Sequence, residues 1–116
     1  MTKESCVFCK IIRKEIQSKI VYEDNKILAF EDIHPQAPVH IVLIPKHHIE
    51  RLSDISDENA HILSRLLVEA NRLAKERKVQ ESGYRIVINC NKDAGQEVFH
   101  LHVHLLAGRT FRWPPG

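Results

Sequence analysis

Apolar positions fall in short runs along most of this chain, and one stretch alone keeps a helical period for more than two turns. Over residues 57 to about 78, Ile62, Leu63, Leu66, Leu67, Ala70, Leu73 and Ala74 recur at three- and four-residue spacing, which predicts an amphipathic helix. Ser56 is its expected N-cap, with Asp57 and Glu58 at the positive end and Lys75, Arg77 and Lys78 at the negative end. A shorter helix is expected over residues 8–14, presenting Phe8, Ile11 and Ile12 to a core. Ile20–Glu23 and Ile27–Glu31 read as strands joined by an Asp24-Asn25-Lys26 turn. Two prolines make residues 32–38 a loop, and a buried strand over 39–44 is stopped by Pro45. Strands over 84–90 and 98–107, separated by a polar loop containing Gly95, complete the set. Strands grouped on either side of one long helix predict an α+β fold with a five-stranded, mainly antiparallel sheet, not a βαβ repeat.

A length of 116 residues bounds this to a single domain, residues 1–116. Formal net charge is +2, and the basic residues are interspersed with acids, so no nucleic-acid partner is expected. No apolar run reaches the roughly 18 residues of a membrane span, and the start has no signal-peptide apolar region, so no membrane partner and a cytoplasmic location are expected. Three cysteines do not suit a disulfide framework, and the Cys6-Val7-Phe8-Cys9 spacing points to metal or redox chemistry, which the spacing alone does not separate. Eight histidines outnumber Phe, Trp and Tyr combined, and their placement is the main chemical signal.

Three of them stand in Phe99-His100-Leu101-His102-Val103-His104-Leu105-Leu106. Alternation along a strand puts His100, His102 and His104 on one face and Leu101, Val103 and Leu105 on the other, against the long helix. The outer two rings are then about 13 Å apart along the strand, too far for three ligands on one metal. A row of imidazoles suits an extended anion instead. Neutral imidazole can attack phosphorus without a separate base, while flanking donors stabilise charge on the phosphoryl oxygens. The chain has no Gly-rich phosphate cradle, no G-x-S-x-G and no H-E-x-x-H, so histidine has few competitors as nucleophile.

The block from Gln96 to Leu106 resembles the signature of the histidine-triad (HIT) proteins. Phe8-Cys9-Lys10-Ile11-Ile12, Ala29-Phe30-Glu31-Asp32-Ile33, Pro35-Gln36-Ala37-Pro38, Ile44-Pro45-Lys46 and Trp113-Pro114-Pro115-Gly116 are similar to its Hint-type, nucleotide-binding branch. The resemblance implies a HIT-like fold whose sheet continues across a homodimer, and an enzyme that hydrolyses the P–N bond of purine nucleoside 5′-phosphoramidates. His102 is then the nucleophile, His104 a phosphate-contacting partner on the leaving-group side, His100 an orienting residue, and His40 a further histidine beside the triad. Asp32 corresponds to the carboxylate that holds the ribose hydroxyls. Phe8, Ile11, Phe30 and Ile33 correspond to the slot for the base, and Asn89, Gln96 and Val98 to contacts near ribose and phosphate. Glu97 departs from the serine of animal members, so that serine's role is not transferred to it. Sibling readings are a purine-nucleotide-binding regulatory or interaction protein and a dinucleotide-polyphosphate hydrolase.

Bacterial members with the two cysteines imply a structural zinc on Cys6, Cys9, His48 and His100, with His47 the competitor for His48 and no metal required for catalysis. His34 and His61 are expected at the surface, and Cys90 as a small buried residue. The tail, about 108–116, is implied to lie near the dimer partner's active site through Trp113.

Overall fold

The computed structural model describes residues 3–116. In chain order the elements are α1 (Val7–Ile12), β1 (Ile20–Glu23), β2 (Ile27–Glu31), β3 (Val39–Pro45), α2 (Ala60–Glu76), β4 (Tyr84–Val87) and β5 (Val103–Ala107), with 3-10 turns at Leu52–Asp54 and Lys92–Ala94. Five strands form one sheet in the order β1-β2-β3-β5-β4, and every neighbouring pair is antiparallel. The expected α+β architecture, with one long and one short helix, is therefore present. No helix among the described residues is long and apolar enough to cross a membrane.

Period-2 alternation gives each central strand two apolar faces. Ala29, Ile41, Leu43, Val103 and Leu105 meet Leu66, Ala70, Leu73 and Ala74 of α2. On the opposite face Leu28, Phe30, Val42 and Ile44 meet Cys6, Phe8, Cys9 and Ile11 around α1. Covering both faces buries most of β2 and β3, with Leu28, Ile41 and Leu43 at 0% exposure. Glu69, the buried acid of α2, is neutralised by Arg65 and Arg72.

Several expected boundaries move, each for an identifiable reason. Ser56 is not the N-cap of α2: its backbone N–H donates to Asn59 Oδ1 at 2.7 Å, residues 57–59 form a turn, and the helix begins at Ala60. Helix α1 starts at Val7 because Cys6 Sγ accepts the Cys9 N–H at 3.4 Å, and it ends before Lys14, whose φ is +65°. Strand β3 ends at Pro45 as expected, with Pro45 itself its last residue, paired with Ile27. The strand expected over 98–107 is laddered only from Val103. Before that point the Leu101 N–H donates to the Ile49 carbonyl at 2.6 Å, and the His100 carbonyl is taken by a side chain. Strand β4, losing that neighbour, stops at Val87 opposite His104. Alternation nevertheless persists through 100–105, so the three histidines project to the α1 face and Leu101, Val103 and Leu105 to α2. Cys90 is half-buried, not buried, while His34 and His61 are exposed as expected.

Candidate active site

On the α1 face a cleft of about 390 Å³ opens between α1, the ends of β2 and β3, and the segment leading into β5. Phe8, Ile11, Phe30 and Ile33 line it with Asp32, Asn89, Val98, His102 and His104. The apolar quartet and the polar groups expected from sequence thus converge, although they come from five separated segments. Phe8 anchors the arrangement, with its ring edge-to-face on Phe30 (5.5 Å) and on His102 (5.1 Å).

Hydrogen bonds assign the proton on each ring. His102 Nδ1–H donates to the His100 carbonyl at 2.7 Å, so Nε2 carries the free lone pair. The Gln36 N–H donates to His40 Nδ1 at 3.0 Å, which leaves His40 Nε2–H to donate to His104 Nδ1 at 2.9 Å. His104 therefore holds its own proton on Nε2. Asp32 Oδ2 lies 3.4 Å from His40 Nε2, and Asp32 Oδ1 accepts the His34 N–H at 2.8 Å. Burial favours the uncharged ring: it lowers the pKa of His102 and of His40, and together with neighbouring His102 and His40 it takes His104 down to about 4. All three rings are neutral at pH 7.

Gln96 and Trp113 are not among the residues lining this chain's cleft. Gln96 is buried and braces the loop: Oε1 accepts the Asn91 N–H at 2.8 Å, and Nε2 donates to the carbonyls of Glu50 (2.8 Å) and Val98 (3.1 Å). Trp113 is 82% exposed and lies outside its own chain's cleft. Ile16, Gln17 and Ser18 also line the cleft, and Ser18 Oγ is the single buried side-chain oxygen or nitrogen without a partner among the described residues. No periodicity marks that segment, so sequence reasoning had no signal for it.

Beneath the cleft floor, Cys6, Cys9, His48 and His100 bring four donor atoms within 4.8 Å of one another. Cys6 Sγ lies 3.5 Å from His100 Nδ1, and Cys9 Sγ lies 3.3 Å from His48 Nδ1 and 3.6 Å from His100 Nδ1. Sulfur and nitrogen ligands on one tetrahedral zinc stand about 3.6 Å apart. His100 Nε2–H donates to the Pro45 carbonyl at 2.8 Å, which frees Nδ1 as a ligand atom. His48 faces the cluster, whereas His47 is exposed. The donor set fits a structural tetrahedral metal. A second group, Asp32, His40 and His104, is as compact, but its 2.9 Å ring-to-ring spacing is a hydrogen bond, shorter than the about 3.3 Å between nitrogens on tetrahedral zinc.

This sheet, the helix pair and the row of three imidazoles on its α1 face, two of them lining the cleft, define a HIT protein: residues 13–111 match the HIT domain, and the chain belongs to that family. Among its relatives, purine nucleoside phosphoramidase of Escherichia coli (strain K12) is 47% identical over 106 residues, covering 91% of this chain and 89% of that one. An uncharacterized HIT-like protein of Synechocystis is 49% identical over 113 residues, 97% of this chain and 98% of its own. The crystal structure of a HIT family hydrolase from Legionella pneumophila superposes with a TM-score of 0.95 at 49% identity, covering 97% of this chain and 100% of that one.

Proposed function

We propose that the protein hydrolyses purine nucleoside 5′-phosphoramidates, cutting the P–N bond through a nucleotidyl-His102 intermediate. The observation that carries this reading is the committed tautomer of His102, whose unprotonated Nε2 belongs to a ring lining a cleft with an apolar slot and a carboxylate. The phosphoramidase relative supports the same substrate class.

In this mechanism the base lies among Phe8, Ile11, Phe30 and Ile33, and Asp32 accepts from the two ribose hydroxyls. The Val98 backbone and Asn89 lie toward ribose and phosphate, with Gln96 holding the loop. His102 Nε2 attacks phosphorus while Nδ1–H stays on the His100 carbonyl, and the resulting imidazolium is steadied by that bond. His104 Nε2–H donates to a phosphoryl oxygen, and His40 fixes the His104 tautomer. The P–N bond breaks with its electron pair on the amine. One water is consumed in all: its proton goes to the departing amine, and its hydroxide displaces His102 from phosphorus to give the nucleoside monophosphate. A zinc on Cys6, Cys9, His48 and His100 would be structural, since four protein ligands leave no position for substrate.

Turnover of adenosine phosphoramidate beside a diadenosine polyphosphate and a mononucleotide–sugar tests the assignment. Adenosine phosphoramidate is expected to be the clear preference, and preference for either of the others overturns it. In the same assay kcat/KM is expected to fall on the acid side at a pH lower than the ordinary imidazole value, because burial lowers the pKa of His102 and an uncharged ring is required.

We also propose a cytoplasmic homodimer in which the sheet continues across β4, the edge strand beside β5. Two features support it: Val68 on the outer face of α2 is 59% exposed, and Trp113 is left uncovered. Phe111 is held on its own chain between Arg85 and Arg109, at 5.2 and 4.3 Å, so the tail (108–116) is braced as far as Phe111 and leaves Trp113 to reach the partner's cleft. Light scattering at micromolar concentration should give twice the 13.4 kDa chain mass, and a 13.4 kDa particle contradicts the dimer.

A further inference from the structure

A cleft that receives a phosphate ordinarily presents lysine or arginine, and this one presents neither. Its charged lining residues are Asp32 and Glu97. Asp32 is engaged by the His34 N–H and lies beside His40. Glu97 is exposed and has no hydrogen-bond or ion-pair partner among the described residues. Its backbone is nonetheless well held. Gln96 before it is braced by Asn91, Glu50 and Val98, and the turn that delivers it closes through Gly95 at φ +88°, a left-handed conformation that suits glycine. The residue bearing this unpaired carboxylate is thus anchored through its backbone at the wall that also carries His102 and His104, and no lysine or arginine among the described residues lines the cleft to offset it. Its field acts on whatever leaves phosphorus.

We propose that Glu97 selects the leaving group by charge, favouring phosphoramidates whose departing amine carries a second, cationic group and disfavouring anionic ones. The inference rests on the phosphoramidase reading above and names the substrate class within it. A cationic tail offsets the phosphoryl charge and pairs with Glu97, so the cleft meets a ligand neutral over its phosphate and leaving group. An anionic tail, whether a carboxylate or further phosphates, adds repulsion from Glu97 to that of the phosphoryl group. Unit charges about 6–8 Å apart at a partly solvated wall correspond to roughly three- to fiftyfold in rate or affinity. Because the effect is electrostatic, it declines as salt rises.

The test uses three adenosine 5′-phosphoramidates of equal chain length whose leaving amines end in an ammonium, a methyl or a carboxylate. For the wild-type protein kcat/KM is expected to fall about tenfold at each step in that order. Glu97→Gln should bring the three within about twofold of one another, and Glu97→Lys should reverse the order. The same tails on uncleaved adenosine 5′-phosphate alkyl esters, read by calorimetry, report the charge preference without the chemistry. If the esters keep the order and lose it in Glu97→Gln while no phosphoramidate is turned over, the selectivity stands and the phosphoramidase reading fails. An order absent from the wild-type protein, or unchanged in Glu97→Gln, overturns the role of Glu97.

Discussion

Replacing His102 with alanine is expected to lower kcat by at least about 10³-fold while nucleoside monophosphate affinity stays within several-fold of the wild type. The asymmetry follows from what the ring touches. His102 supplies a lone pair to phosphorus, whereas base and ribose are held by the apolar slot and Asp32, which the substitution leaves in place. Truncation also removes one of the edge-to-face partners of Phe8, so a modest loss of thermal stability accompanies it. Single-turnover kinetics with calorimetry on the same preparation separates the two effects. Near-normal turnover in His102→Ala would contradict covalent catalysis.

The second large effect concerns the Cys6, Cys9, His48 and His100 cluster. About one equivalent of zinc per chain is expected by elemental analysis, and Cys6→Ser/Cys9→Ser should lose it. Burial beside Cys6 takes the metal-free Cys9 thiol up to about 11, so binding must draw a proton from it and carries a pH dependence of its own. A stabilisation of about 3 kcal/mol, typical of a ligand well above its Kd, corresponds to a thermal midpoint about 10 °C lower once the metal is gone. His100 links this site to the chemistry, because its ring faces the thiols while its carbonyl holds His102 Nδ1–H. Metal removal is therefore expected to reduce kcat more than it raises KM, leaving measurable activity. A metal-free wild-type protein of undiminished stability would eliminate the site.

Much of this was legible in the chain because the signals were local. The three-four spacing across Leu66, Ala70 and Leu73 located α2, and alternation at Leu101, Val103 and Leu105 placed the histidines on the other face. Failures came where backbone groups are captured by distant or side-chain partners. Nothing near Ser56 announces that Asn59 will take its N–H, and nothing near Leu101 announces the Ile49 carbonyl. The ring protons of His40 and His104 depend on the Gln36 N–H, a loop contact without periodicity. Cys6 and Cys9 alone left redox and metal chemistry open. The separation of His47 from His48 relative to those thiols became visible only in three dimensions.

The covalent step can be read directly. Adenosine phosphoramidate mixed with the wild-type protein, quenched within the first turnover and mapped by peptide mass spectrometry under conditions that preserve phosphoimidazole, is expected to give one adenylylated residue, His102. A time course in which that species forms and decays at the turnover rate would complete the case. Quenched protein free of adduct while substrate is consumed, or adduct on another residue, would contradict it.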